Sequence, residues 1–273
     1  MPRPLLKWVG GKGELLPELL CRIEELPEFR RYHEPFLGGG ALFFELVRLK
    51  KLPRSKAWLS DNNAELIETY RAVRDHVDRV IKLLAQHKSR HCETYFYELR
   101  ANLPADAIAR AARIVYLNKT CFNGLYRVNR KGQFNTPLGK YANPNICDEP
   151  NLRAAAEAFK RATLEHAPFT SILKTAEPGD LVYLDPPYHP ISKTSSFTAY
   201  GKGGFGEDSQ ELLAKTFREL TVRGVHAILS NSMTDLVSEL YRGFRIDEVM
   251  VKRSINSNAG KRGPIGEALI RNF

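Results

Sequence analysis

The chain has 273 residues, 43% of them hydrophobic, enough for a large globular core with one insertion. Lysine and arginine number 41 against 31 for aspartate and glutamate, and the net charge of +10 suits a polyanionic partner, although an incidentally basic protein has the same balance. No run of about 18 apolar residues occurs and the N-terminus lacks a sustained apolar stretch, so neither a membrane span nor secretion is expected. Cys21, Cys92, Cys121 and Cys147 form no Cys-x-x-Cys pair and no zinc spacing, and read as reduced thiols in a cytoplasmic protein.

In chain order, RRYHEPF (30–36) reads as a short strand entering the turn Gly38, Gly39, Gly40, after which ALFFELVRLKK has helical apolar spacing. KAWLSD (56–61) reads as a second strand ending on Asp61, followed by a helix over 64–86. From about 91 to 145 two helical segments lead into a polar, basic stretch with a hairpin signal over 129–132, between LYRV and QFN. The alternation then resumes with a helix over 152–161, the strand LVYLD (181–185), a helix over 208–223 and the strand HAILSN (226–231). A helix near Leu236 and strands over 246–251 and 268–271 complete it. Such an order predicts an α/β protein with an open, mostly parallel sheet, helices on both faces and ligands at the carboxyl ends of the strands. Residues 1–64 and 151–273 form the expected core, and 65–150 an inserted, mostly helical domain carrying the β-hairpin.

Three candidate sites fall at strand ends, each with a plainer alternative. Gly38 to Gly40 lets the backbone turn sharply and approach a ligand with no Cβ in the way, or serves only as a strand-to-helix turn. It matches neither G-x-G-x-x-G nor a phosphate-binding P-loop. Asp61 can accept hydrogen bonds from two ribose hydroxyls, or cap the helix that follows. In LVYLDPPYHP, Pro186 holds Asp185 extended, and neither Pro186 nor Pro187 has an N–H. What remains is a cluster of acceptors beside the Tyr188 ring, suited to an exocyclic amine on a stacked base, or a tight turn with Tyr188 as packing.

LKWVGGKGELLPEL, HEPFLGGGALFFE, LSDNNAELI, FNGLYRVNRKGQFNTPLGKY, YLDPPYHPISKTSSFTAY, ILSNS and RSINSN occur in that order along nearly the whole chain. This ordered set resembles the Dam-type DNA N6-adenine methyltransferases, the D12 class of group alpha. The resemblance implies a Rossmann-like methyltransferase core with a DNA-recognition insertion, and S-adenosylmethionine as donor, leaving S-adenosylhomocysteine, with no metal. Trp8, Gly10, Lys12, Phe36 and Gly38 correspond to positions lining the cofactor site, and Asp61 takes the ribose. Phe169 packs against the cofactor adenine, although Ala167 and Pro168 stand where relatives often carry an acidic or polar residue. Asp185, also bordering the cofactor, would with Pro186, Pro187 and Tyr188 hold the adenine extruded from the duplex.

The resemblance also assigns the basic block. Residues 118–141 carry five basic residues and no acid. Arg127 would contact a guanine in the major groove. Phe122 and Asn123 would fill or read the gap left by the flipped base, Leu125 and Pro137 would meet a thymine methyl, and Lys7 with Tyr141 would read the outer guanine. Asn129 lies in the same hairpin as a further DNA contact, and Lys252, Arg253, Lys261 and Arg262 suit phosphates. GATC is the implied site, in double-stranded DNA of a prokaryotic nucleoid or phage-infected cell. A cognate restriction endonuclease is a compatible partner and an obligate protein partner is not expected. Rival readings are another recognition site on the same fold, an N4-cytosine enzyme, an RNA or protein-glutamine methyltransferase, and a catalytically silent DNA-binding homologue.

Overall fold

The computed structural model describes residues 1–8, 10, 12–190, 205–252 and 264–273. In chain order its elements are α1 (Leu16–Ile23), β1 (Tyr32–Glu34), α2 (Ala41–Arg48), β2 (Ala57–Asp61), α3 (Ala64–Ser89), α4 (Glu93–Ala101), α5 (Ala107–Thr120), α6 (Glu149–Phe159), β3 (Ala162–His166), α7 (Ile172–Thr175), β4 (Leu181–Leu184), α8 (Glu207–Val222), β5 (His226–Ser232), α9 (Asp235–Leu240), β6 (Arg245–Lys252) and β7 (Pro264–Arg271). They fall into two compact units. The first is Met1–Gly11, Leu37–Leu52 and Lys56–Ala167; the second is Lys12–Phe36, Pro53–Ser55 and Pro168–Phe273. This division by compactness cuts the chain differently from a core with an insertion at 65–150, because Gly38 and Asp61 pack in the same unit as the insertion.

In the second unit the strands run in the order β1-β4-β5-β7-β6. β4 is parallel to β1 and β5, whereas β7 is antiparallel to β5 and β6. All four residues of β4 are buried, as a central parallel strand covered on both faces requires. Leu184, Leu229 and Ile270 meet Leu213, Phe217 and Leu220 of α8 in one core, each side chain contributing about 1.5–3 kcal/mol by burial. The antiparallel turn of β7 has a local consequence. It brings Glu267 opposite Ser232 at the carboxyl end of β5.

In the first unit β2 and β3 pair in parallel from Ala57↔Ala162 to Asp61↔His166. Phe43, Phe44, Tyr70 and Phe159 form an aromatic cluster there, with centroids 4.9 to 5.8 Å apart. Asn63 caps α3 by accepting from the Leu66 amide at 3.1 Å, and the helix is interrupted at His76, whose φ and ψ of −139° and 38° are not helical. β3 and α1 were not among the expected elements. β3 reads ATLEH, too short and polar to signal a strand alone, and is held by pairing and by the Trp58 indole N–H donating to Glu165 at 2.7 Å. The expected hairpin forms through two antiparallel bridges, Cys121↔Leu138 and Val128↔Phe134, without a continuous ladder. Among the described residues no helix is long and apolar enough to cross a membrane, and no group of three His, Cys, Asp or Glu could hold a metal ion.

Candidate active site and DNA-reading surface

Asp185 follows directly on β4. Its carboxylate accepts from the Ser230 hydroxyl at 2.9 Å and pairs with the Lys12 ammonium, also at 2.9 Å. Lys12 is only 8% exposed, and its Nζ lies 4.3 Å from the centroid of the Tyr188 ring. The Tyr188 hydroxyl donates to Glu267 Oε2 at 2.9 Å, which fixes the far end of the ring. Burial pushes the Asp185 carboxyl up, and the charge and hydrogen bond of Lys12 with the Ser230 bond only partly oppose it, so it stays above the ordinary carboxylate range.

The loop that carries Asp185 is held from behind by two side-chain amides, both fully buried. Gln210 Nε2 donates to the Pro187 carbonyl at 3.1 Å, and Gln210 Oε1 accepts from Asn231 Nδ2 at 3.0 Å. Asn231 Oδ1 in turn accepts from the His189 amide at 3.0 Å. The two prolines offer no N–H of their own, so these amides take the place of a backbone ladder. In the same unit Phe36 and Phe169 stack, with centroids 5.2 Å apart and planes 23° from parallel.

In the first unit, Gly38 and Gly40 adopt positive φ of 46° and 66°. At Gly38 this is doubly required, because a Cβ there would lie 2.8 Å from Trp8 Cδ1. The Gly38 amide donates to Asp61 Oδ2 and the Asn63 amide to Asp61 Oδ1, both at 2.9 Å. Asp61 therefore ties the glycine turn to the start of α3, while Asn63 does the capping. Burial pushes the Asp61 carboxyl up against these amide bonds. Trp8 covers the turn and stacks on Tyr126, with centroids 4.9 Å apart, and the Tyr126 hydroxyl donates to Glu65 at 2.6 Å.

The basic block begins where α5 ends. Asn123 and Gly124 both have positive φ, 54° and 66°, so the chain reverses in a conformation strained for asparagine. Asn118, 1% exposed, organises this corner: its Oδ1 accepts from the Lys7 amide, and its Nδ2 donates to the Lys7 and Gly124 carbonyls at 2.9 Å. Lys7 is thereby fixed against the turn, with its Nζ 5.2 Å from the Tyr141 ring. Phe122 is half exposed, and its amide donates to the Pro137 carbonyl at 2.8 Å. Arg127 is exposed, and its Nε donates to Asn135 Oδ1 at 2.8 Å across the hairpin. Asn129 spends its side chain on the turn, accepting from the Lys131 and Gln133 amides and donating to Gln133 Oε1.

A family model described as D12 class N6 adenine-specific DNA methyltransferase matches residues 8–255. The chain belongs to this family. It is 40% identical to the type II methyltransferase M.MjaIII of Methanocaldococcus jannaschii, over 99% of both chains. It is 39% identical to the type II methyltransferase M1.LlaDCHI of Lactococcus lactis subsp. cremoris, over 99% of this chain and 95% of that one. With the DNA adenine methylase of Escherichia coli K12 it shares 33% identity over 98% of this chain and 94% of that protein.

The adenine methyltransferase thus brings its sequence-singled residues together in separate groups. Asp185 to Tyr188, Lys12, Phe36 and Phe169 lie in one compact unit; Trp8, Gly10, Gly38, Asp61 and the block from Phe122 to Tyr141 lie in the other. Lys252 ends β6, but its side chain, and all of Arg253, Lys261 and Arg262, lie outside the described residues. Sequence reasoning missed Ser230, Asn231, Gln210, Glu267, Asn118 and Asn135. Ser230 and Asn231 stand in the motif ILSNS and Asn118 opens the basic block, so a signal existed for these three. Gln210 and Glu267 carry no local signal, because each acts through a partner brought near only by folding.

Proposed function

We propose that this DNA methyltransferase transfers a methyl group from S-adenosylmethionine to N6 of adenine in double-stranded GATC. The reading is carried by the Asp185 carboxylate, fixed beside the Tyr188 ring by Ser230 at the end of β4. The adenine amine is a poor nucleophile while its lone pair is delocalised into the ring. Asp185 and a neighbouring carbonyl would each accept one N–H and free the nitrogen to pyramidalise. Gln210 holds the Pro187 carbonyl from behind, and a main-chain carbonyl of this turn is the second acceptor assigned here. Extruding the base costs a few kcal/mol, which stacking on Tyr188 helps offset. Asp185 acts by orientation, since the amine proton becomes acidic only once the nitrogen is methylated and can then leave to water.

S-adenosylmethionine would supply an electrophilic methyl on a sulfonium. The residues present suit such a ligand. Asp61 Oδ1 and Oδ2 each accept one backbone amide, and a carboxylate oxygen has a second lone pair for a ribose hydroxyl. Trp8, Gly10 and Gly38 would flank the methionine portion, and Phe36 with Phe169 the adenine. Residues 1–64 and 151–273 serve as the catalytic core and 65–150 as the recognition domain. Within it Arg127 reads a guanine, Phe122 and Asn123 occupy the gap, and Leu125 and Pro137 meet a thymine methyl, while Tyr141 reads the outer guanine together with Lys7 of the N-terminal segment. Asn129 shapes the hairpin; Lys252, Arg253, Lys261 and Arg262 contact phosphates. A cognate endonuclease acting on the same site is one compatible setting.

The test uses labelled S-adenosylmethionine and duplexes in which each GATC base pair is varied, with nucleoside analysis of the product. N6-methyladenine in intact GATC alone is expected. N6-methyladenine in another sequence would remove the site assignment, and label in no nucleoside would remove the donor.

A further inference from the structure

We propose that Lys12 is a placeholder for the target amine: in the DNA-free protein its ammonium occupies the Asp185 carboxylate and the Tyr188 ring face that an extruded adenine must take. The proposal rests on the reading of Asp185 and Tyr188 as the adenine clamp. Its geometry is direct. Nζ stands 2.9 Å from Asp185 Oδ1 and 4.3 Å from the ring centroid. The adenine amine would bring an N–H to that oxygen and the purine a flat face to that ring; the ammonium meets both partners, as a hydrogen-bond donor and as a positive charge on a π surface. The Lys12 carbonyl accepts from the Leu15 and Leu16 amides at 2.9 Å, which anchors its backbone at the start of α1. The four-carbon side chain has the rotatable bonds to swing away when the base arrives.

The surroundings explain why a cation is needed. The phenols of Tyr32 on β1, Tyr183 on β4 and Tyr188 on the loop all interact with the Asp185 charge. Glu34 accepts from Tyr32 at 2.8 Å, Glu267 accepts from Tyr188, and Ser230 adds a neutral hydroxyl. Among the described residues named here every group but Lys12 is neutral or acidic, so without the ammonium the half-buried carboxyl would be protonated more readily, and the protonated form is a poorer acceptor for the amine. Exchange of the lysine donor for the N6 donor keeps two hydrogen bonds on Asp185 Oδ1, the other coming from Ser230.

Lys12→Met and Lys12→Arg test this in the full-length protein. With the aspartate γ-carbons labelled and Asp185 assigned from the spectrum of Asp185→Asn, the Asp185 titration midpoint in DNA-free Lys12→Met is expected to rise by about one to three pH units, as loss of an adjacent opposite charge implies. Lys12→Arg should restore it, which separates charge from misfolding. With 2-aminopurine in place of the target adenine, Lys12→Met should give a larger fluorescence rise on binding than the wild type. An unchanged midpoint, or a fluorescence rise no greater than that of the wild type, with N6 methylation by the wild type intact, would overturn the placeholder role alone. A midpoint that follows Lys12 in a wild type that methylates no adenine would remove the adenine reading, and the placeholder with it.

Discussion

The catalytic strand end and the basic hairpin use the same chemical groups in opposite ways. At the end of β4 the polar side chains are buried or, for Asp185 and Tyr188, half-buried, and already bonded to one another: Asp185 to Lys12 and Ser230, Tyr188 to Glu267, Gln210 to Asn231. At the hairpin Lys7, Phe122, Asn123, Arg127 and Pro137 are exposed, Leu125, Asn129 and Tyr141 are half-buried, and what is buried is the scaffold beneath them, Asn118 and Thr136. The difference follows from their tasks. A group that orients a weak nucleophile works best pre-aligned and desolvated, where no reorganisation is needed at the moment of reaction. A group that reads a base edge must exchange water for the base, and should be held by its stem and left open at its tip.

The sharpest way to break the comparison is at Asp185. Asp185→Asn is expected to lower methyl transfer by at least about 10²-fold, a loss of the size seen when a pre-aligned electrostatic group is removed, while S-adenosylmethionine binding largely survives. Labelled-methyl transfer and equilibrium cofactor binding check both halves. Asn231→Ala should come next. It strands Gln210 Oε1 and the His189 amide, each unsatisfied group costing about 1–3 kcal/mol, and should lower kcat with little change in DNA affinity; thermal melts and steady-state kinetics measure it.

Gly38→Ala should cost about 1–3 kcal/mol through its positive φ, with an added clash against Trp8, and should weaken cofactor binding more than DNA binding. Equal losses of the two affinities would count against the turn as a cofactor element. Arg127→Ala should relax discrimination at one base pair by about 1–3 kcal/mol. Asn135→Ala should relax the same base pair by less, about 0.5–1.5 kcal/mol, since only the bond that aims the guanidinium is removed; competition among single-base-pair variants ranks them. The smallest effect is in pH. Asp185 must be ionised to accept the amine and its carboxyl lies above the ordinary range, so kcat should fall as pH drops through that raised value, earlier than for a solvated aspartate. A pH profile whose acid limb sits at an ordinary aspartate value would show a solvated site.

Much of this is legible in the sequence alone. LVYL alternates with nothing polar and became a fully buried strand, and LDPPY had to expose acceptors because proline has no N–H to offer. The glycine turn and Asp61 were correctly placed at strand ends, but whether Asp61 caps α3 was decided by Asn63, which took that role. Arg127 was legible as a basic residue in a basic loop; the aim given to it by Asn135 was not, because the bond crosses a turn whose register is settled by the Val128↔Phe134 bridge.

By itself, then, the sequence determined most of the elements, though not β3 or α1, and which residue types gather at the strand ends, since these follow from local periodicity and from the backbone limits of glycine and proline. The tertiary structure alone decided what each of those residues bonds to. Glu267 meets Tyr188 only because β7 runs antiparallel to β5, Gln210 meets Pro187 only because α8 packs its first turn against the loop, and Lys12 meets Asp185 across a separation of 173 positions (185 − 12). Such contacts arise from packing between distant segments, and no window along the chain contains both partners.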